Sequence, residues 1–172
     1  MSIKDELLYT VDELNNPVNP EPRKLAHSQG MWHRTSQIWI VNDTQQVLCQ
    51  RRSLLKDTNP GKWEAIFGGH LAPGQEYIDC AIIELREELG MAVTKENLDF
   101  LFINKREKDR EFQGIFRINW NGASSDLQLE KEEVEEVKWI SIKDLLKTFK
   151  EKDGNWSAFA YEINLLSTWK NR

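Results

Sequence analysis

The sequence predicts one α+β domain with a mixed β-sheet, spanning all 172 residues. Two patterns carry this. Short runs rich in β-branched and aromatic residues recur between turn residues, and one strongly periodic helix interrupts them midway. The length suits one domain with a proper core and is short for two. A composition 40% hydrophobic and 30% charged excludes the disordered and membrane classes. No apolar run approaches the roughly 20 residues needed to cross a bilayer.

Residues 1–30 read as an N-terminal extension. Its start, Met1-Ser2-Ile3-Lys4-Asp5, has no apolar stretch of secretory type, so the expected location is the cytoplasm. A strand is expected over 6–11, then turns at Asn15-Asn16-Pro17 and Asn19-Pro20. Ile38-Trp39-Ile40-Val41 and Val47-Leu48-Cys49-Gln50 read as a hairpin joined through Asn42-Asp43. Asn59-Pro60-Gly61 marks a turn before an extended segment at 63–67, and Gly68-Gly69 and Pro73-Gly74 bracket a loop. The helix expected over 76–90 lines up Ile78, Ile82, Leu85 and Leu89 on one stripe, with Gly90 as its C-cap. Strands follow near 98–103 and 112–120. An acidic stretch at 130–136 leads into Val137-Lys138-Trp139-Ile140, then a short helix from Ser141 and a last one over 156–169. Cys49 and Cys80 lack metal-ligand spacing and read as buried free thiols. The net charge of −5 argues against a nucleic-acid duplex as partner, yet leaves room for a small phosphorylated ligand.

The polar face of the helix at 76–90 breaks two local rules. Glu84, Glu87 and Glu88 lie within roughly one 100° arc, opposite the apolar stripe. Glu84 and Glu88 form a like-charge pair costing about 0.2–0.5 kcal/mol on a bare helix. Glu87 and Glu88 also occupy the last turn, where the helix dipole disfavours each carboxylate by about 0.3–1 kcal/mol. A solvated acidic face is one reading of these charges. A bound divalent cation is the other, and it removes both penalties at once. Mg²⁺ takes carboxylate and carbonyl oxygens and bridges substrate phosphates, and Gly68 and Gly69 would let backbone carbonyls approach it closely.

The stretch Gly69-His70-Leu71-Ala72-Pro73-Gly74-Gln75, continued by Ile83-Glu84-Leu85-Arg86-Glu87-Glu88-Leu89-Gly90-Met91, resembles the Nudix box, here residues 69–91. That signature ends in Arg-Glu-U-x-Glu-Glu-x-Gly-U, where U is bulky and apolar. The resemblance implies a Nudix α/β/α sandwich and a metal site of Gly69, Glu84, Glu87 and Glu88 holding Mg²⁺ or Mn²⁺. Gln75 and Ile83 stand where the family has a glutamate and an arginine that brace the loop against the helix. Losing both partners is cheaper than orphaning one, which suggests a rebraced loop and leaves the orientation of Glu84 open.

Trp32-His33-Arg34, Gln50-Arg51-Arg52 and Pro60-Gly61-Lys62-Trp63 are similar to the branch that includes type I isopentenyl-diphosphate isomerases. The isomerases need a cysteine where this chain has Gly68, so hydrolysis is the expected reaction and isomerisation the lesser alternative. The resemblance implies a metal-dependent hydrolase acting on a diphosphate in a small substrate, a nucleoside di- or triphosphate or a derivative first. A catalytically degenerate nucleotide-binding module is the other alternative, motivated by Gln75 and Ile83. Glu87, Glu111 and Glu133 are the catalytic candidates. Glu111 is preferred as general base because it aligns with a metal-contacting glutamate of the isomerase branch. Glu133 is second because Nudix bases also come from its loop. Arg52, Lys56 and His70 are expected at the substrate, and a solvated basic loop is the other reading of Arg52 and Lys56. His27 and His33 resemble histidines of a second metal site in the isomerase branch, but with imperfect spacing, and are read as satisfied structural histidines. Trp32, Trp39 and Trp63 are read as core or strand residues, one of them available to stack on a base. A homodimer is expected from the family's habit.

Overall fold

The opening strand is much shorter than the sequence predicts. In the computed structural model, which describes residues 6–157 and 160–169, β1 spans only Leu7–Leu8 and pairs antiparallel with β2, Glu21–Pro22. Residues 1–5, on which the cytoplasmic expectation rests, lie outside the described residues. A six-residue helix, α1 (Arg23–Ser28), follows; it is too short to leave a periodic signal.

Next come β3 (His33–Val41) and β4 (Gln46–Arg52), longer than the predicted hairpin arms. Asn42 sets their turn: its Oδ1 accepts from Thr44 N and Gln46 N, and Gln45 takes a left-handed φ of 59°. Two short strands follow, β5 (Trp63–Glu64) and β6 (Phe67–His70). The predicted helix is α2, Tyr77–Leu89. Gly90 (φ 67°) ends it, its N–H returning to Arg86 O at 2.9 Å. Leu85 and Leu89 on the predicted stripe are fully buried. The chain continues through β7 (Leu98–Arg106), β8 (Glu111–Asn119) and β9 (Val134–Ser141). Ser141 caps α3 (Ile142–Glu151), and α4 (Ala160–Trp169) is last. Two residues of the predicted closing helix, 158 and 159, lie outside the described residues.

The chain groups into two compact units, each discontinuous in sequence. Of the described residues, the first holds those up to Ile38, Gly68–Leu85 and Ala92–Arg117; the second holds Trp39–Phe67, Arg86–Met91 and those from Ile118 on. In the first, β3 lies between β6 and β8, and β7 pairs with β8 at the sheet edge. Ile38, Leu71, Cys80, Ala81, Leu85 and Ile115 make its core. In the second, β4 lies between β5 and β9, both antiparallel to it, and pairs antiparallel with β3 at Val47↔Val41. Trp39, Ile40, Leu48 and Leu145 are fully buried there. No helix of the described residues is long and apolar enough to cross a membrane.

Candidate active site

Glycine decides the geometry where β6 meets α2. A Cβ placed on Gly69 would sit 2.2 Å from Glu84 Oε1, so only a glycine lets this carboxylate lie against the backbone. Cys80 Sγ lies 3.7 Å from Gly69 O and 3.5 Å from His70 O. Burial, and secondarily the charge of Glu84, push this thiol up to about 12, so it is an inert neutral group. Further along α2, Glu87 is exposed near Arg86 and Glu88 is buried. A buried carboxylate in the last turn faces both desolvation and the negative end of the helix dipole.

Gln75 Oε1 accepts from Ala72 N at 2.8 Å, closing the turn on itself, while Ile83 is half-buried. The start of α2 is held from elsewhere in the first unit. Ser36 Oγ donates to Tyr77 O at 2.7 Å, and the Tyr77 ring packs where a Cβ on Gly114 would lie. The Arg34 guanidinium is sandwiched between Tyr9 (4.5 Å) and Tyr77 (5.5 Å) and donates to Asn15 Oδ1 and Asn15 O. No motif announces this clamp, because its parts come from separate elements.

In the second unit, the end of α2 meets the acidic loop. Gln128 N donates to Leu89 O and Glu130 N to Glu88 O, both at 3.0 Å. Glu133 belongs to this loop: its carbonyl accepts from Ser53 N at 2.9 Å, and its carboxylate pairs with Lys56. Arg52 donates to Thr58 O at 3.0 Å, Thr58 Oγ1 at 3.2 Å and Glu64 Oε2 at 3.2 Å. Arg51, on the opposite strand face, pairs with Glu135 and Glu136. Trp63 stacks on Trp156 with centroids 5.8 Å apart, and Lys138 Nζ lies 3.7 Å from the Trp63 centroid. Trp39 and Trp32 are core residues, the latter packed on Phe112.

The first unit also brings together three histidines that the sequence spreads over α1, β3 and β6. The ligating nitrogens of His27, His33 and His70 all lie within 4.8 Å of one another, and His27 Nε2 and His70 Nε2 are 3.1 Å apart. His33 Nδ1 is 2.9 Å from Met31 O. A carbonyl only accepts, so the ring proton sits on Nδ1 and the lone pair on Nε2. Among the described residues, buried His33 Nε2 makes no hydrogen bond; its acidic neighbour is Glu111 Oε1 at 3.8 Å. Burial holds the His33 pKa below its ordinary value, which favours the neutral ring. Burial also raises Glu111, whose Oε2 accepts from Gln113 Nε2 at 2.7 Å. The reading of His33 as a satisfied structural histidine is therefore corrected: its Nε2 is a buried acceptor aimed into a cluster of ligating groups. The sequence signal was present in His70 after the double glycine, but the spacing of the other two becomes meaningful only once three elements fold together.

The catalytic cysteine of the isomerases has no room here. Gly68 has φ +142°, and a Cβ on it would lie 1.9 Å from Ser36 O. The backbone thus excludes any side chain at that position.

Comparison with known proteins agrees with this geometry. The family model described as NUDIX domain matches residues 31–160. An uncharacterized Nudix hydrolase of Pseudomonas aeruginosa is 34% identical over 78% of this chain and 78% of its own length. Nudix hydrolase 3 of Arabidopsis thaliana is 30% identical over 84% of this chain, which spans about a fifth (20%) of that protein. Isopentenyl-diphosphate Delta-isomerase 2 of Aromatoleum aromaticum is 26% identical over 89% of this chain and 82% of its own length. Among solved structures, a Deinococcus radiodurans protein superposes with a TM-score of 0.74 at 18% identity, covering 95% of this chain and 98% of its own. The NUDIX domain of Shewanella oneidensis NrtR, solved with ADP ribose, superposes with a TM-score of 0.57 at 16% identity, over 81% of this chain and 86% of its own. The chain belongs to the Nudix family, in the branch resembling isopentenyl-diphosphate isomerases, with the family's α/β/α sandwich and mixed sheet. Its class is that of the Nudix-type diphosphate hydrolases.

Proposed function

We propose that the chain cleaves a nucleoside di- or triphosphate, or a nucleoside diphosphate derivative, with Mg²⁺ or Mn²⁺ held by Glu84, Glu87, Glu88 and the Gly69 carbonyl. The observation that carries this reading is the seat of Glu84 against Gly69, which a single methyl would fill. Carboxylates beside a glycine backbone form a hard oxygen donor set that fits such an ion. When bound, the ion supplies charge neutralisation and a water of lowered pKa. Lys56 exchanges its Glu133 partner for a substrate phosphate, and the released Glu133 carboxylate takes the proton from water. Arg52, tied to Thr58 and Glu64, stiffens the loop and offers its remaining donor capacity to the phosphates. The association of Glu111 with His33 supports a ligand role for it, and this favours Glu133 over Glu111 as base. Nudix domains that bind nucleotides, such as the Shewanella oneidensis one with ADP ribose, support a nucleotide substrate. We place the reaction in the cytoplasm and keep all 172 residues as one functional domain.

A specific observation favours a second metal reading beside the first. Three imidazole nitrogens form a softer donor set, with the Glu111 carboxylate beside His33, suited to Zn²⁺, Co²⁺ or Mn²⁺. His70, adjacent to Gly69, would then reach substrate and metal from the same strand end.

The test is phosphate release from a nucleoside di- and triphosphate panel with Mg²⁺ or Mn²⁺, comparing wild type with Glu88→Gln. Metal-dependent release that collapses in the variant is the expected result. Nucleotide binding without turnover on any panel member would return the degenerate binding module, with Gln75 and Ile83 as its cause.

A further inference from the structure

The N-terminal extension contains a tight polar loop that presents one residue, Asn15. Asp12 Oδ1 accepts from Leu14 N at 2.9 Å and from Asn16 N at 2.8 Å, and Asp12 N donates to Asn16 O at 2.8 Å. Val11 bridges to Pro17 and closes the loop at its base. Within it Asn15 takes a left-handed φ of 67°, which asparagine tolerates better than most residues. Apolar burial does not account for the loop, since its Leu14 is 81% exposed. What it delivers is a pair of acceptors: Asn15 Oδ1 takes Arg34 Nε at 2.8 Å and Asn15 O takes Arg34 Nη2 at 2.7 Å.

Arg34 joins the two halves of the Glu84 seat. On the loop half, its N–H donates to Tyr9 O at 3.1 Å, its carbonyl accepts from Leu71 N at 3.0 Å, and Tyr9 N donates to Leu71 O at 2.8 Å. These bonds fix Leu71, two residues past Gly69. On the helix half, the guanidinium lies over the ring of Tyr77, the first residue of α2, as well as over Tyr9. The Tyr77 ring is also confined by Gly114, where a Cβ would lie 2.5 Å from it. Tyr77 and Glu84 are seven positions apart, so at roughly 100° per residue they leave α2 within about 20° of one another. Holding Tyr77 therefore sets the rotation of α2 about its axis and the direction in which Glu84 leaves it. The seat has little tolerance for rotation, because one methyl group at Gly69 would fill it. Neither Gln75 nor Ile83 is charged, and Gln75 turns back onto Ala72 N, so no ion pair between those two positions ties loop to helix.

We propose that Arg34 is a positioning residue of the hydrolytic site: with Tyr9, Asn15 and Tyr77 it locks the loop after Gly69 to α2, so that Glu84 stays on its seat. The N-terminal extension is then a working part of the site. This rests on the reading of Glu84 as a ligand of Mg²⁺.

The test is Mg²⁺ binding by the full chain, read from the ion-dependent rise in melting temperature over a concentration series, for wild type, Arg34→Met, Arg34→Lys and Glu84→Gln. Arg34→Met removes the charge and both donors and should weaken Mg²⁺ binding on the order of tenfold or more. Arg34→Lys keeps a cation between the rings without the fork to Asn15 and should recover part of that loss. A merely structural role lowers the melting temperature of ion-free Arg34→Met and leaves its Mg²⁺ affinity at the wild-type value. That result, with affinity lost in Glu84→Gln, overturns the proposal alone. Wild-type affinity in Glu84→Gln overturns the ligand reading and the proposal with it. If Arg34→Met fails to fold, Asn15→Gly decides, because glycine accepts the left-handed φ and removes the Oδ1 acceptor. Weakened Mg²⁺ binding in that variant supports the proposal, and wild-type affinity overturns it.

Discussion

Glu64 is buried beside Arg52, and burial outweighs the guanidinium in holding its carboxyl above the ordinary 4.5. The folded state therefore binds this proton more tightly than the unfolded chain does. Its contribution to stability is complete below the unfolded value of 4.5 and is lost as pH rises through the raised folded one. Glu64→Gln, which titrates in neither state, should flatten that decline, read as urea midpoints across the acid range. At Gly69, alanine would push Glu84 off its seat. Gly69→Ala should cost roughly 10–100-fold in metal-dependent turnover, with the melting temperature nearly unchanged. The three helix carboxylates were legible in the sequence because they violate local helix rules. The pairing of Lys56 with Glu133 was not, since it joins residues far apart in the chain.

Among the elements, α3 was the most readable. Ser141 marks its start, Oγ accepting from Asp144 N at 3.1 Å, and Ile142, Leu145, Leu146 and Phe149 form its buried face. Ser141→Ala should remove about 1 kcal/mol of stability, measurable by urea denaturation. By contrast α1 escaped, because one and a half turns show no period and its boundary is Pro22 rather than a capping side chain. The predicted strand at 6–11 shrank to two residues. Its later positions make isolated bridges instead, Thr10 to His33 and Val11 to Pro17, and propensity alone does not distinguish a bridge from a ladder. The histidine cluster was hidden for the same reason as α1: one of its three ligands sits on that helix.

For the whole molecule, ligand binding to the folded state raises stability by mass action, and two donor sets of different softness imply two separable responses. Mg²⁺ should raise the melting temperature of wild type and of His70→Ala alike. Co²⁺ should add a further rise that His70→Ala abolishes, about 2.7 kcal/mol at a hundredfold excess over its dissociation constant. Differential scanning fluorimetry with the two ions separates them, and equal responses of both proteins to Co²⁺ would sink the histidine site. The class of the fold was legible throughout, from the alternation of β-rich runs around one strong helix. Strand order was not, because β6 and β9 attach away from their sequence neighbours and nothing local encodes that choice.

Gly68 bears on ancestry as well as on structure. Some glycine codons lie one nucleotide from a cysteine codon, so by the genetic code alone a thiol at 68 is a single step away. With the Ser36 carbonyl occupying the place of any Cβ at 68, that step would yield a damaged protein before it yielded a new activity. A side chain at 68 requires β3 to move first, so a thiol there takes a coordinated change of two strands rather than a single substitution.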